Sequence, residues 1–237
     1  MKTYKIAITT GDTKGIGEEI TKKALDFLNP APDEVLIIGR KVADVYDTVE
    51  LDDSINGEFC YNSLKKAAEL AKSGNIGAIV TAPVSKSALL EAGYNFSGQT
   101  EVLKKFFNKE PEMLFITGDF RVMLLTRHLA LKDVKIEPRM MEEKVLRLND
   151  FLVKNCAISS PKIALCALNP HAGEGGMLGR EEIEIMIPTV QKLRNRGIDI
   201  TNPISADALF ARAGKKYIKG EKQDYDAIIA WYHDHGL

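Results

Sequence analysis

The feature that most constrains the fold is the alternation of short apolar, β-branched runs with amphipathic helical patterns. Several runs, such as GAIVTA and KIALCA, are apolar on both faces. This is typical of strands in a mainly parallel sheet that helices cover on both sides. We therefore predict an α/β fold with three layers, α/β/α. The predicted strands are residues 4–9, 34–38, 77–81, 113–117, 121–126, 162–168 and 226–231.

Four segments between these strands have the spacing of amphipathic helices. Their predicted buried faces are Ile16, Ile20, Ala24 and Leu28; Leu64, Ala67, Ala68 and Ala71; Met141, Val145, Leu148 and Leu152; and Ile183, Ile187, Val190 and Leu193. Pro188 lies inside the fourth pattern, where it should kink or split the helix. No linker rich in proline, glycine or serine divides the chain. We therefore treat residues 1–237 as a single catalytic unit whose lobes the sequence does not separate.

Composition excludes several classes of protein. The 237 residues carry 32 Lys and Arg against 33 Asp and Glu, a net charge of −1, which argues against nucleic acid as the main partner. No apolar run approaches the roughly 18 residues of a membrane span, and the first residues do not resemble a signal peptide. Three widely spaced cysteines without a CxxC pair favour a reduced, cytoplasmic protein.

Three of the four histidines each follow a predicted strand. His128 follows FRVMLLT, His171 follows KIALCAL, and His233 follows DAIIAWY. Ligands of open α/β sheets bind beyond the carboxyl ends of the strands. Imidazoles that converge there suit a divalent transition metal, and three protein ligands with open positions are typical of a catalytic site. The alternative is three unrelated surface or hydrogen-bonded histidines, because the sequence does not show that these strands are neighbours.

Two further segments follow strands at the same predicted edge. GDTKGIGEEI has glycines that could let backbone N–H groups approach an anion, but it lacks a full GxGxxG pattern, and we favour a tight strand-to-helix turn as its explanation. Lys86 opens a helix in APVSKSALL, against the helix dipole, which indicates a bound anion or a solvated lysine.

Polar residues also mark other loops. NPHAGEGGMLGREE combines His171 with a glycine-rich stretch, which is typical of a site loop, although a flexible connection has similar composition. Asp207 in ISADALF is either a helix N-cap or a carboxylate near the metal. Asp234 could orient the imidazole of His233. Gln99 and Thr100 in FSGQTEVL fall at a predicted helix start, with Thr100 as an N-cap.

Six segments together, in order, resemble the 4-hydroxythreonine-4-phosphate dehydrogenase family of pyridoxal phosphate biosynthesis. They are TTGDTKGIGEEI, TAPVSKSALLEAGYNFSGQTE, LTRHLAL, LNPHAGEGGMLGREEIE, ISADALF and YHDHGL. The NPHAGEGG loop and the YHD motif are the most specific of these. The family also includes relatives that act on 4-phospho-threonate and 4-phospho-erythronate, and the resemblance spans about residues 3–237.

The resemblance implies an isopropylmalate dehydrogenase-like fold with two lobes around a cleft, and a cytoplasmic homodimer with its site at the interface. It implies a divalent metal held by His128, His171 and His233, with zinc favoured and magnesium, manganese or cobalt as alternatives. It places Gln99 and Thr100 at the substrate. It also implies that NAD or NADP accepts a hydride from a 4-phosphorylated hydroxy acid such as 4-phosphohydroxy-L-threonine, with oxidative decarboxylation as the reaction. We assign catalytic roles to Asp207 and Lys86.

Three departures from the family pattern bear on this interpretation. Gln99 stands where the family has histidine, so a cationic contact to phosphate would be lost and the substrate could differ. The glycine turn lacks the family's prolines. The sequence also ends at Leu237, before the family's further substrate and NAD contacts, so we expect either a fragment or a short relative.

Two other functions are compatible with the same residues. One is a catalytically impaired family member that binds metal in a structural or regulatory role. The other is a metal-dependent hydrolase or lyase that acts on phosphorylated acids without a nicotinamide.

Overall fold

The computed structural model describes residues 3–52, 54–127 and 129–236, and it confirms the α/β class. The chain forms two compact units that divide between Pro111 and Glu112. Each unit has its own mainly parallel sheet with helices on both faces, as the doubly apolar strands predict. The sequence did not locate this division, because no change in composition marks it.

The first unit contains a four-stranded sheet in the order β3-β2-β1-β4, with every neighbouring pair parallel. Its elements are β1 (Tyr4–Thr9), α1 (Gly17–Leu28), β2 (Val35–Gly39), β3 (Asp47–Glu50), α2 (Asn56–Lys72), β4 (Ile76–Thr81), α3 (Lys86–Glu91) and α4 (Gln99–Phe107). Alternate residues of β2 pack on opposite sides: Ile37 lies with Leu25 of α1, and Ile38 lies with Ala67 of α2.

The predicted buried face of α1 is wrong. Ile16, Ile20 and Leu28 are exposed, and the residues that turn inward are Gly17, Thr21 and Leu25. The physical reason is the close approach of the helix to β1. A Cβ on Gly17 would lie 2.1 Å from the carbonyl oxygen of Thr10, so only glycine fits there and this position fixes the rotation of the helix.

The second unit contains a five-stranded sheet in the order β5-β6-β9-β7-β8, in which only the β5–β6 pair is antiparallel. Its strands are β5 (Met113–Thr117), β6 (Phe120–Leu124), β7 (Lys162–Leu165), β8 (Asp199–Ile200) and β9 (Ala227–Ala230). Its helices are α5 (Pro138–Asn155), α6 (Ile187–Asn195), α7 (Ala206–Ile218) and α8 (His233–Gly236), with a short 3₁₀ segment at Leu131–Asp133 and an irregular turn at Pro170–Gly176.

Helices α5 and α6 cover one face of this sheet, and α7 covers the other. The predicted face of α5 is confirmed: Met141, Val145, Leu148 and Leu152 are all buried. In the fourth pattern Val190 and Leu193 are buried, but Ile183 is exposed, contrary to the prediction.

Proline splits the fourth helical pattern, as predicted. The segment Glu182–Met186 is a π-helix, and α6 begins directly after it with Pro188 in its first turn. Proline has no N–H and cannot donate a hydrogen bond to the preceding turn. The turn before Pro188 is therefore a wider π-helical turn, and the regular α-helix begins after it. The π-helix buries Glu182 and Met186 on one side.

Two of the strands, β3 and β8, were not predicted from the sequence. Strand β3 reads DTVE and is polar at both ends, and β8 has only two residues, so neither gives an apolar run. Both lie at sheet edges, where burial on two faces is not required. The other predicted strands are present within a few residues of their expected limits.

The described residues contain no helix that is both long and apolar enough to cross a membrane.

The three cysteines are free thiols, as their spacing predicts. Burial raises the pKa of the Cys60 and Cys166 thiols to about 12.

Trp231 ties together the carboxyl ends of three neighbouring strands. It is fully buried just after β9, and its indole Nε1 donates to the carbonyl oxygen of Cys166, 2.8 Å away, after β7. Its own carbonyl oxygen accepts hydrogen bonds from the backbone N–H (2.9 Å) and the hydroxyl (2.6 Å) of Thr126, after β6. These contacts hold the three strand ends together.

Thr126→Val tests this connection. The variant keeps the side-chain shape but loses the hydroxyl donor to Trp231, so we expect the free energy of unfolding to fall by about 1 kcal/mol. Trp231 is the only tryptophan, so its fluorescence during urea unfolding reports on the second unit. The matched control is Thr117→Val, on the outer strand β5, which should change stability by less than about 0.5 kcal/mol. Equal stability of both variants would contradict the role of the buried hydroxyl.

Candidate functional site

The strands that precede the three selected histidines are adjacent in the sheet. Strand β9 lies between β6 and β7 and is parallel to both, so the carboxyl ends of all three meet at one edge. His171 and His233 follow β7 and β9 at this edge. His128 comes two residues after Thr126 in the sequence and lies outside the described residues. The topology thus supplies the neighbour relationship that the sequence left open.

An open cavity of about 300 Å³ lies at this edge, entirely within the second unit. We call it the His171 cavity. It is lined by residues 168–171, by residues 205–207, and by Tyr232 and His235. The first two segments lie side by side because the backbone of Ile204 pairs with that of residues 165–167. The fold therefore brings together His171 and Asp207, two of the predicted site residues.

His171 lies in a left-handed turn. Residues His171, Ala172, Gly173, Glu174 and Gly175 all have positive φ, from 44° to 77°. For the three that are not glycine, this conformation costs about 1 kcal/mol or more each. Such strain persists only where other contacts impose it, and it clusters at functional sites. The loop is a defined turn, which supports its interpretation as a site loop and argues against a flexible connection.

Asp207 is not the N-cap of its helix. Ser205 occupies that position before α7, and its hydroxyl hydrogen-bonds the Asp207 carboxylate. This hydrogen bond, followed by the backbone N–H of Ala208 and the charge of His171, holds the pKa of Asp207 below its usual value. The carboxylate is exposed at the His171 cavity, where it can accept a proton or a hydrogen bond.

Short-range contacts orient the two histidines of α8. The Nδ1 atom of His233 lies 2.8 Å from Oδ1 of Asp234, as expected for a carboxylate that holds an imidazole in place. The Nδ1 atom of His235 accepts a hydrogen bond from the backbone N–H of Trp231 (3.2 Å), and the imidazole ring stacks on Tyr232. Burial lowers the pKa of His235.

Within the ranges 3–52, 54–127 and 129–236, no group of three or more His, Cys, Asp and Glu side chains is placed to hold a metal ion. His128, the third predicted ligand, lies outside these ranges. The donor chemistry of the edge fits a transition metal, because neutral imidazoles are the common ligands and the Asp234 contact supplies the usual outer support. Metal binding therefore stays a prediction.

The other selected residues lie in the first unit. Lys86 is the exposed first residue of α3, whose N-cap is Ser85. Gln99 begins α4, as predicted for this helix start, with Thr100 next to it. The predicted N-cap role of Thr100 is wrong, because Gly98 occupies that position and the helix starts two residues earlier than Thr100 would require.

Gln99 is directed toward the end of β4. Its Nε2 atom donates to the carbonyl oxygen of Ala82 at 3.1 Å, and its Oε1 atom is buried without a hydrogen-bond partner in the described part of the chain. A buried acceptor that lacks a donor is costly, which is typical of a group that awaits a ligand or water.

The glycine turn after β1 packs closely against the same strand end. A Cβ on Gly11 would lie 2.3 Å from the carbonyl oxygen of Pro83, and the N–H of Asp12 donates to that oxygen at 2.9 Å. The turn is further fixed by Asn56, whose amide contacts Asp12 and Thr13. These contacts favour the tight strand-to-helix turn over the anion site.

Sequence reasoning missed the four other polar residues of the His171 cavity. Asn169, Ser205, Tyr232 and His235 line it but were not assigned to the site. Each lies within two residues of a selected histidine or aspartate in the chain. That proximity is a weak signal, because it does not show which neighbours face the same way.

Comparison with known proteins gives consistent matches. The model of the family described as "Pyridoxal phosphate biosynthetic protein PdxA" matches residues 6–237. A crystal structure of a 4-hydroxythreonine-4-phosphate dehydrogenase from Burkholderia phymatum has a TM-score of 0.82 at 33% identity. It covers 99% of this chain and 82% of that one.

Two curated relatives illustrate the range of names. A 4-hydroxythreonine-4-phosphate dehydrogenase from Saccharophagus degradans is 43% identical over 188 residues, covering 78% of this chain and 54% of the relative. This match therefore spans about half the length of that relative. A protein from Bradyrhizobium diazoefficiens, provisionally named D-threonate 4-phosphate dehydrogenase, is 34% identical across 100% of this chain and 78% of its own length.

Gly173→Ala tests the conformation of the His171 loop. A Cβ at Gly173 would lie 2.8 Å from Oε2 of Glu182 at a φ of +77°, whereas Gly175, at +67°, has open space around it. Alanine has a strained backbone at both positions, but only the alanine at position 173 also collides with a neighbouring side chain. We expect the free energy of unfolding to fall by about 2 kcal/mol for Gly173→Ala and about 1 kcal/mol for Gly175→Ala. Urea titrations followed by Trp231 fluorescence measure both, and equal losses would contradict the close packing of Gly173 against Glu182.

Proposed function

Because the chain belongs to the PdxA family, we propose that it is a dehydrogenase of a 4-phosphorylated hydroxy acid, with 4-phosphohydroxy-L-threonine as the first substrate to test. The proposal includes a divalent metal, and NAD or NADP as the hydride acceptor. We further propose oxidative decarboxylation as the overall reaction, in a cytoplasmic homodimer. These finer assignments rest on the resemblance and on the chemistry of the residues.

The single observation that carries the proposal is the adjacency of β6, β9 and β7. Each is followed by one of His128, His171 and His233, and all three are parallel. Unrelated surface histidines have no reason to follow three neighbouring strands at the same edge. We propose these three residues as the ligands of the divalent ion, with zinc as the first choice. A bound ion of this kind supplies Lewis-acid polarisation of a substrate oxygen.

The residues that line the His171 cavity, and the adjacent pair His233 and Asp234, have complementary tasks in this proposal. Asp207 contacts the substrate hydroxyl and takes up its proton in this proposal, because its carboxylate is exposed at the cavity and is ionised. Asp234 holds His233 by its Nδ1 atom, so Nε2 is the ring nitrogen that would bind a divalent ion. The stacked pair of His235 and Tyr232 forms one wall of the cavity. We assign no residue to the nicotinamide.

In the first unit we propose that Gln99 and Thr100 contact the substrate and that Lys86 meets one of its anionic groups. The buried Oε1 of Gln99, which lacks a donor, supports a polar ligand there. Gln99 cannot carry a positive charge, so the contact to phosphate is a neutral hydrogen bond. The relative provisionally named for D-threonate 4-phosphate makes that phosphorylated acid the second substrate to test.

The activity test uses the full chain with 4-phosphohydroxy-L-threonine and NAD or NADP. We expect absorbance at the NADH or NADPH wavelength to rise only with a divalent metal, and the rate to fall at least about 100-fold in His171→Ala, because an imidazole ligand is lost. The matched control is Met177→Ala, an exposed side chain just after the same loop, which should keep its rate. Full activity in His171→Ala would overturn the proposal. Metal binding without turnover of either phosphorylated acid would favour the catalytically impaired alternative.

Gln99→His tests the departure from the family pattern. An imidazole at this position is partly protonated near pH 6 and can pair with a phosphate. We therefore expect the KM for the phosphorylated acid to fall severalfold at pH 6 and little at pH 8, with kcat nearly constant. The control Gln99→Asn shortens the side chain without adding a titrating group. A pH-independent effect of histidine would show that the residue does not contact the phosphate.

A further inference from the structure

Glu182 is a buried acid beside the His171 loop. Its side chain is 2% exposed, and its Oε1 atom accepts hydrogen bonds from the backbone N–H groups of Leu168 (2.9 Å) and Asn169 (2.8 Å). Its Oε2 atom accepts another from the Asn169 side-chain amide (2.9 Å). All three donors belong to the two residues that lead into Pro170 and His171. The carboxylate therefore grips the start of the strained loop.

The middle of the loop also folds back onto the same carboxylate. Gly173 packs so closely that a Cβ there would lie 2.8 Å from Oε2 of Glu182. His171 lies between these two points of contact, in its left-handed conformation. The start and the middle of the turn thus both pack against the Glu182 carboxylate. No other buried acid of the described residues is placed against this loop.

Glu182 and Glu181 together fix the orientation of Asn169. The two hydrogens of its Nδ2 atom are directed at Oε2 of Glu181 (2.7 Å) and Oε2 of Glu182 (2.9 Å). Carboxylates accept hydrogen bonds, so the atom of Asn169 that faces both of them must be the amide nitrogen and not the amide oxygen. The start of the loop is therefore held by backbone and side chain at once.

The π-helix explains how an acid is buried at this place. Glu182 is the first residue of the π-helix Glu182–Met186, which α6 and its Pro188 follow directly. π-Helical turns are rare and occur often at functional sites. The turn brings Glu182 inward beside Met186, while Glu184 on the same segment is exposed and pairs with Arg180.

We propose that Glu182 is the positioning residue of His171: it sets the loop conformation that aims the imidazole at the metal. Glu182 does not contact the substrate or the ion. This inference rests on the proposed function, because it gives His171 its role as a ligand. Outer residues that orient ligands tune metal affinity about 10- to 100-fold, because a misaimed ligand binds poorly.

The probe is Co²⁺ alone, titrated into the full chain and followed by its visible absorption, with no substrate or nucleotide present. We expect wild-type protein to bind Co²⁺ with a ligand-field spectrum, and His171→Ala to lose it. Glu182→Gln should bind at least about tenfold more weakly with an altered spectrum, because its amide nitrogen faces the Asn169 amide donor. The matched control Glu184→Gln removes an exposed acid from the same turn and should bind as wild type.

A second variant separates positioning from stability. In the triple variant Asn169→Asp, Glu181→Gln and Glu182→Gln, donors and acceptors exchange places at both contacts of residue 169, so the hydrogen bonds between these side chains can form again. We expect it to recover most of the Co²⁺ affinity lost by Glu182→Gln. Urea unfolding followed by Trp231 fluorescence gives the stability of each variant.

Unchanged Co²⁺ affinity in Glu182→Gln, with the wild-type site intact, would overturn this inference alone. The same holds if the triple variant recovers stability without recovering affinity, since Glu182 would then be only structural. Failure of wild-type protein to bind Co²⁺ would overturn the metal in the proposed function, and this inference with it. The two failures are therefore distinguishable in one series of titrations.

Discussion

The hydrogen bonds of Trp231 are the interaction on which the second unit's functional edge depends. The indole N–H, the carbonyl oxygen and the backbone N–H of this one residue are each paired, with Cys166, Thr126 and His235 respectively. Because these partners follow β7 and β6 or lie in α8, a single buried residue sets the relative position of three strand ends. The residues that follow those strands, among them His171 and His233, are positioned by this alignment of the strand ends.

The His171 loop shows a second constraint, in which local strain is balanced by burial of an acid. Three non-glycine residues in the left-handed region are unfavourable by themselves. The Glu182 carboxylate offsets this cost with three hydrogen bonds in a site shielded from water, where charged acceptors bind N–H groups more strongly. Strain and a buried polar cluster thus occur together beside His171, as they commonly do where a side chain must be aimed.

The parts of the fold that could be predicted are those in which a periodic pattern and burial coincide. The face of α5 was correct because four apolar residues repeat at helical spacing and pack on the sheet. The face of α1 was wrong because its inward position is Gly17, which has no side chain for a pattern to detect. The edge strand β8 was missed because two residues cannot show a period. In the His171 cavity, Asn169 was overlooked because its role comes from Glu181 and Glu182, which lie more than ten residues later in the chain.

The sequence by itself determined the α/β class, the central strands and the placement of histidines after strands, because hydrophobic periodicity and chain order are local properties. The resemblance of its motifs to one dehydrogenase family was likewise present in the sequence alone. Only the tertiary structure decided that β6, β9 and β7 are neighbours, that His171 and Asp207 share one cavity, and that Glu182 is buried under the loop. These facts depend on hydrogen bonds and packing between residues far apart in the chain, and no local pattern encodes which distant partners will meet.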